Sequence, residues 1–178
     1  MVRLALAALL VCSTAAASPF TIGAGLGMTQ DEVNSHQDPN STLSVLGRIG
    51  LSQRFSLELD LSRINTGANN ASRTATGLAL FDLGSNPRWV PQVFAGLGVY
   101  NSDLGYGSDD GHHLEAGIGL EYRATGGMVI GARFHIGDRT MDSQPAVYPL
   151  ACCTDLYSPP SLNEGQYRTL DAYAGVRF

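Results

Sequence analysis

The chain has 178 residues, a length suited to one domain, with 21 glycines and a formal net charge of −5. The acidic balance argues against a nucleic-acid partner. Mean hydropathy lies near zero, which does not exclude a membrane barrel, whose strands alternate and dilute the signal, and no segment is apolar for long enough to be a transmembrane helix. Residues 1–17 read as a cleaved secretory signal: Arg3 is basic, Leu4 to Val11 is apolar, and Ala15-Ala16-Ala17 supplies a small-residue cleavage site. That apolar run is too short to cross a bilayer as a helix. The mature domain is therefore expected over 18–178, with Cys12 lost; Val11 is too bulky for a lipid-attachment signal at that cysteine.

Eight alternating segments follow in chain order. In the first, Phe20 to Met28, Phe20, Ile22, Ala24, Leu26 and Met28 alternate with Gly23, Gly25 and Gly27. The second, Leu43 to Leu51, turns Leu43, Val45, Ile49 and Leu51 one way and Arg48 the other. The third, Phe55 to Arg63, sets Phe55, Leu57, Leu59 and Leu61 against Ser56, Glu58, Asp60 and Ser62. The fourth, Thr74 to Leu83, alternates less cleanly, with Ala75, Gly77, Ala79, Phe81 and Leu83 assigned to the apolar exterior. The fifth, Gln92 to Tyr100, places Val93, Ala95, Leu97 and Val99 outward. The sixth, His113 to Arg123, opposes Leu114, Ala116, Ile118, Leu120 and Tyr122 to His113, Glu115 and Glu121. The seventh, Met128 to Gly137, opposes Met128, Ile130, Ala132, Phe134 and Ile136 to Arg133 and His135. The last, Leu170 to Phe178, alternates Leu170, Ala172, Ala174, Val176 and Phe178 with Asp171, Tyr173, Gly175 and Arg177.

Period-two alternation at this length is what a tilted membrane strand requires. The connections sort by length: 29–42, 64–73, 101–112 and 138–167 are long, while 52–54, 84–91 and 124–127 are shorter. Long extracellular loops, short periplasmic turns and an even strand count belong together in outer-membrane barrels. Phe20, Phe55, Phe81, Tyr122 and Phe178 then fall outward at the periplasmic ends, with Trp89 in a turn beside them, as an aromatic girdle. The fold class expected is an all-β, closed, antiparallel, eight-stranded, up-and-down transmembrane barrel in a bacterial outer membrane. A soluble lipocalin-like barrel is the structural alternative, but it would place its apolar face inside.

With its terminal strand ending on Phe178, the chain resembles the eight-stranded outer-membrane barrels of the OmpA and OmpX type. The resemblance covers the mature chain and rests on architecture. It implies a structural or surface-interaction protein with the long loops as contact surface. It also implies that the barrel assembly machinery reads the terminal Phe178, and that outer-membrane lipid, lipopolysaccharide and a surface ligand are the partners.

The lumen-facing charges are Arg48, Glu58, Asp60, Glu115, Glu121, Arg133, His135, Asp171 and Arg177. Charges in a narrow barrel must pair or stay hydrated. An eight-stranded interior is just wide enough to be filled by side chains, so a polar plug centred on Arg133 is expected. The inward glycines, Gly96, Gly98, Gly117, Gly119 and Gly131, leave room for larger neighbours. A narrow passive pore, or a switch using His135, is the alternative. No cofactor is expected.

The stretch Arg133 to Gly137 resembles the His-x-Ser segment of lipid A deacylases, but Gly137 stands where the nucleophilic serine would be, and a glycine has nothing to attack an ester with. Palmitoyl transfer would need an apolar slot inside a lumen that reads as charged. Asp103, Asp109, Asp110, His112 and His113 sit in or beside one loop. They match no regular metal pattern and read as a solvated acidic loop. Cys152 and Cys153 are neighbours in the longest loop, where an oxidising envelope favours an oxidised form.

Overall fold

A computed structural model describes residues 19–31, 39–67, 70–103, 108–141 and 165–178. The expected leader over 1–17, Cys12, and the Cys152 and Cys153 pair lie outside the described residues. Eight strands run in order: β1 (Phe20–Asp31), β2 (Asn40–Gly50), β3 (Phe55–Gly67), β4 (Asn70–Asp82), β5 (Trp89–Asp103), β6 (Ser108–Arg123), β7 (Met128–Met141) and β8 (Gly165–Arg177). Each pairs antiparallel with its neighbours, and β1 pairs with β8, so the sheet closes on itself and has no free edge. At the seam the Phe178 N–H donates to the Phe20 carbonyl at 2.8 Å.

Inside and outside follow the alternation. Leu26, Leu59, Leu97 and Ile118 are exposed on the outer wall, whereas Arg48, Glu58 and Arg133 on the other parity are buried. This is the inverse of a soluble barrel and fits a wall solvated by lipid. The fourth segment keeps its parity too. Leu78 and Leu80 are buried inside, where they pack with Phe94 on β5. The lumen is therefore mixed rather than uniformly charged, and that apolar cluster is what blurred the alternation of β4.

The strands run further outward than the apolar pattern suggested. The connections shrink to 32–39, 68–69, 104–107 and 142–164, against the expected 29–42, 64–73, 101–112 and 138–167. Above the lipid the outer face turns polar, as at Gln30, Asn101 and Asp138. The apolar alternation stops there, but backbone pairing does not need it: Thr29 still faces Asn40, and Asn101 faces Asp110. Two small corrections concern the other end. Leu51 lies just past β2, and Trp89 is the first residue of β5 rather than part of a turn.

The periplasmic turns are fixed locally. The Ser52 hydroxyl accepts from the N–H of Phe55 at 3.0 Å, and the Asn86 side-chain oxygen accepts from the N–H groups of Arg88 and Trp89. Gly127 adopts a φ of +81°, a left-handed conformation natural to glycine in a tight turn. Around this rim Phe55 pairs directly with Phe81, and the rings of Trp89 and Tyr122 meet at 4.9 Å.

Candidate functional site

Parity places one residue in two of every strand inside, and the inside is crossed by one connected set of ion pairs. At the periplasmic end Asp82 accepts from Gln92 and from Arg123, both at 2.8 Å, and Arg123 also donates to Glu121 at 2.6 Å. Glu121 accepts from Arg48 at 2.5 Å, and Arg48 donates to Glu58 at 2.8 Å. The Tyr173 hydroxyl lies between them, donating to Glu121 at 2.7 Å and accepting from Arg48 at 3.2 Å.

Arg133 comes next. It is 2% exposed, and its guanidinium reaches three carboxylates: Glu58, Asp60 at 3.3 Å and Asp171 at 3.1 Å. Its charge also lies 4.7 Å from the Tyr173 ring centre, within cation–π range. A planar fork with several donors suits this three-way contact better than a point charge would. Asp171 then meets His135 at 2.6 Å, His135 meets Glu115 at 3.2 Å, and Tyr167 donates to Glu115 at 2.8 Å. Above them Arg139 pairs with Asp31 at 2.6 Å and stacks 3.9 Å over the Tyr167 ring.

Of the residues expected in the lumen, Arg48, Glu58, Asp60, Glu115, Glu121, Arg133, His135 and Asp171 are all buried, and each contacts another member. Glu115 joins through His135 and Tyr167, not through Arg133. Arg177 does not join: its side chain is half-buried and pairs with no carboxylate among the described residues. Tyr167, Tyr173, Arg139, Asp31, Arg123 and Asp82 were not anticipated as members.

Their signal was available in the cross-strand register. Tyr173 lies directly opposite Gly131, and Tyr167 opposite Gly137. A Cβ at either glycine would fall within the partner's ring. Phe94 faces Gly117, His113 faces Gly98, Leu78 faces Gly96 and Arg133 faces Gly119 in the same way. A large inward side chain paired with a glycine is thus the packing rule of this lumen.

A cavity of about 50 Å³ remains towards the extracellular side, bordered by His113, Glu115, His135, Arg139 and Tyr167. His113 bonds Thr76 at 2.9 Å, while its Nδ1 is buried with no hydrogen-bond partner among the described residues. The expected acidic loop dissolves into strands. Asp103 ends β5, Asp109 and Asp110 lie on β6, and His112 and His113 alternate to opposite faces of that strand. Adjacent strand residues cannot converge on one ion. Among the described residues no three metal-ligating side chains cluster.

The sequence profile of the outer membrane protein β-barrel domain matches residues 4–177. The chain belongs to this family. Its place is accordingly the bacterial outer membrane. No curated protein sequence matches the chain. Among solved structures, Neisserial surface protein A is similar at a TM-score of 0.62 and 13% identity, over 92% of this chain and 98% of that one. The N-terminal barrel of Pseudomonas aeruginosa OprF follows at 0.56 and 13%, over 89% and 97%. Ail, the attachment invasion locus protein of Yersinia pestis, gives 0.50 and 15%, over 90% and 97%. At such identities the likeness is one of fold.

Proposed function

We propose that this barrel is a non-enzymatic scaffold of the outer membrane, closed through its centre, whose extracellular hairpins form a contact surface for a ligand at the cell exterior. One observation carries the reading: the ion-pair set runs without a break from Asp82 near the periplasmic rim to Glu115 in the upper lumen. Buried carboxylates and cations that bond one another fill the bore with side chains, and they stiffen the wall that carries the hairpins. Outer-membrane lipid and lipopolysaccharide surround the apolar wall in this reading. The assembly machinery meets Phe178, which is 76% exposed on the outer face of the closing strand.

A passive pore is the second reading, favoured by the cavity of about 50 Å³. That space holds roughly 3–4 waters by the one-probe-sphere measure. Lipid A modification is disfavoured by the chemistry at His135. Both of its ring nitrogens are engaged by carboxylates, and the neighbouring Gly137 packs against Tyr167.

Three measurements on the full chain separate these classes. The purified barrel is expected to be silent in planar bilayers, and the lipid A mass spectrum of expressing cells to be unchanged. Replacing 142–164 by a short Gly-Ser link is expected to leave a heat-modifiable barrel that has lost cell-surface binding. Steady conductance would make it a pore, and a new lipid A mass would make it an enzyme. A barrel that fails to fold without 142–164 would make that segment part of the scaffold.

A further inference from the structure

We infer that the outer wall carries a lipid site on β3, β4 and β5, built to hold a phosphate-bearing glycolipid of the outer leaflet with one acyl chain in a groove. The inference rests on the outer-membrane location and is independent of the role proposed for the lumen.

The upper limit of the apolar wall can be read strand by strand. On β3 the outward residues are Phe55, Leu57, Leu59 and Leu61, and the first polar one is Arg63. On β4, read in the same direction, Phe81, Ala79, Gly77 and Ala75 lead to Arg73. Arg63 and Arg73 are direct cross-strand partners and both are exposed. Like charges placed opposite each other on a sheet repel. Neither has a carboxylate within ion-pair distance among the described residues. Asp110 shares the row, but it is bonded to Asn101 at 2.6 Å on the far side of β5. An anion between the two guanidinium groups would remove the repulsion, and a phosphate offers the geometry that a pair of arginine forks grips best.

Directly below the arginines lies a groove of about 740 Å³, with Leu61 along one wall, Val99 along the other and Ala75 between them. Two residues further down β4, Gly77 sits between Leu59 and Leu97, so the outer wall stays low between two leucines there as well. Nothing in the fold demands glycine there: a Cβ at Gly77 would meet only the Leu97 carbonyl oxygen, at 3.9 Å. Glycine inside a strand weakens it, and its presence where no protein atom needs the space fits close approach of a ligand. Two cations at the headgroup level above an apolar trough match a lipid with an anionic head and a saturated tail. A soluble anion would use the arginines and ignore the trough.

Lipid A bearing both phosphates is the probe, titrated against the full-length barrel in detergent micelles and read by native mass spectrometry. The parent is expected to retain one lipid. Arg63→Gln with Arg73→Gln should weaken retention at least tenfold, and dephosphorylated lipid A on the parent should do the same. Gly77→Leu fills the trough with an apolar side chain that the wall accommodates, so its fold should survive while retention falls. Gel mobility before and after heating checks that each variant is folded. Parent-like retention by the Gly77→Leu variant, or by a folded double-Gln variant, overturns the site. Tighter binding of a soluble sulfated glycan than of lipid A overturns it as well. None of these outcomes bears on conductance or on lipid chemistry in cells, so the lumen reading stands or falls separately.

Discussion

Arg133→Ala is the most informative single change. The side chain is 2% exposed and sits among Glu58, Asp60 and Asp171. Its removal leaves three carboxylates around a void that no other arginine fills, since Arg48 is already held by Glu58 and Glu121. Breaking a buried ion pair from one side costs about 3–5 kcal/mol, because the stranded charge keeps its desolvation penalty. With a urea slope of about 2 kcal/mol/M, the unfolding midpoint should fall by about 2 M. The chain has one tryptophan, Trp89, on the periplasmic rim, so its fluorescence in lipid vesicles reports the transition without labelling. Arg133→Lys, which keeps a charge but not the fork, should fall between variant and parent. The alanine variant should also show a small conductance in planar bilayers that the parent lacks. A midpoint equal to the parent's in an electrically silent variant would mean that the three carboxylates are compensated elsewhere, and the central role of Arg133 would be lost.

Leu59 lies midway between the girdle residue Phe55 and the polar limit at Arg63 and is 53% exposed. Leu59→Arg should destabilise the barrel by about 2–4 kcal/mol, and unaltered urea resistance would mean that the two faces have been interchanged. Deleting Phe178 removes both the seam hydrogen bond to Phe20 and an outward ring, so folded protein in the outer membrane should drop; wild-type levels would argue against its part in assembly. Gly131→Val pushes a side chain into the Tyr173 ring and should cost about 1–3 kcal/mol. The same substitution in a Tyr173→Ala background should cost much less; equal costs in the two backgrounds would show that the glycine makes no room for the ring.

Fold, strand number and facing were legible because each rests on one strong physical signal. A wall with lipid outside and a filled lumen inside must alternate, and Phe55 to Ser62 does so without exception. What the alternation could not give was how far the strands rise. The signal is hydrophobic, and it ends where the lipid ends, while the hydrogen-bond ladder runs on through Gln30, Asn101 and Asp138. The lumen was half legible. Charge on the inward parity identifies Arg48, Glu58 and Arg133 without knowing the register. Tyr167 and Tyr173 look like ordinary strand aromatics until Gly137 and Gly131 are seen opposite them. Arg177 shares the inward parity, but position along the strand decides pairing, and it is the last residue of β8, beside the Gly127 turn.

The lumen contacts join strands that are far apart in the chain. Arg48 on β2 is 73 residues from Glu121 and 125 from Tyr173, and Arg133 on β7 is 75 from Glu58. None of these contacts can exist in a growing sheet that has not curled round: Arg48 can meet Glu58 as soon as β3 pairs with β2, but its bonds to Glu121 and Tyr173 wait for the sixth and eighth strands. Peeling away any one hairpin must in turn break bonds to strands it does not adjoin. The cross-ties act as spokes in a hoop: they contribute nothing until the rim is closed, and from then on they make unfolding a single concerted event with a high barrier, so the protein's durability is kinetic and is acquired at the last step of assembly.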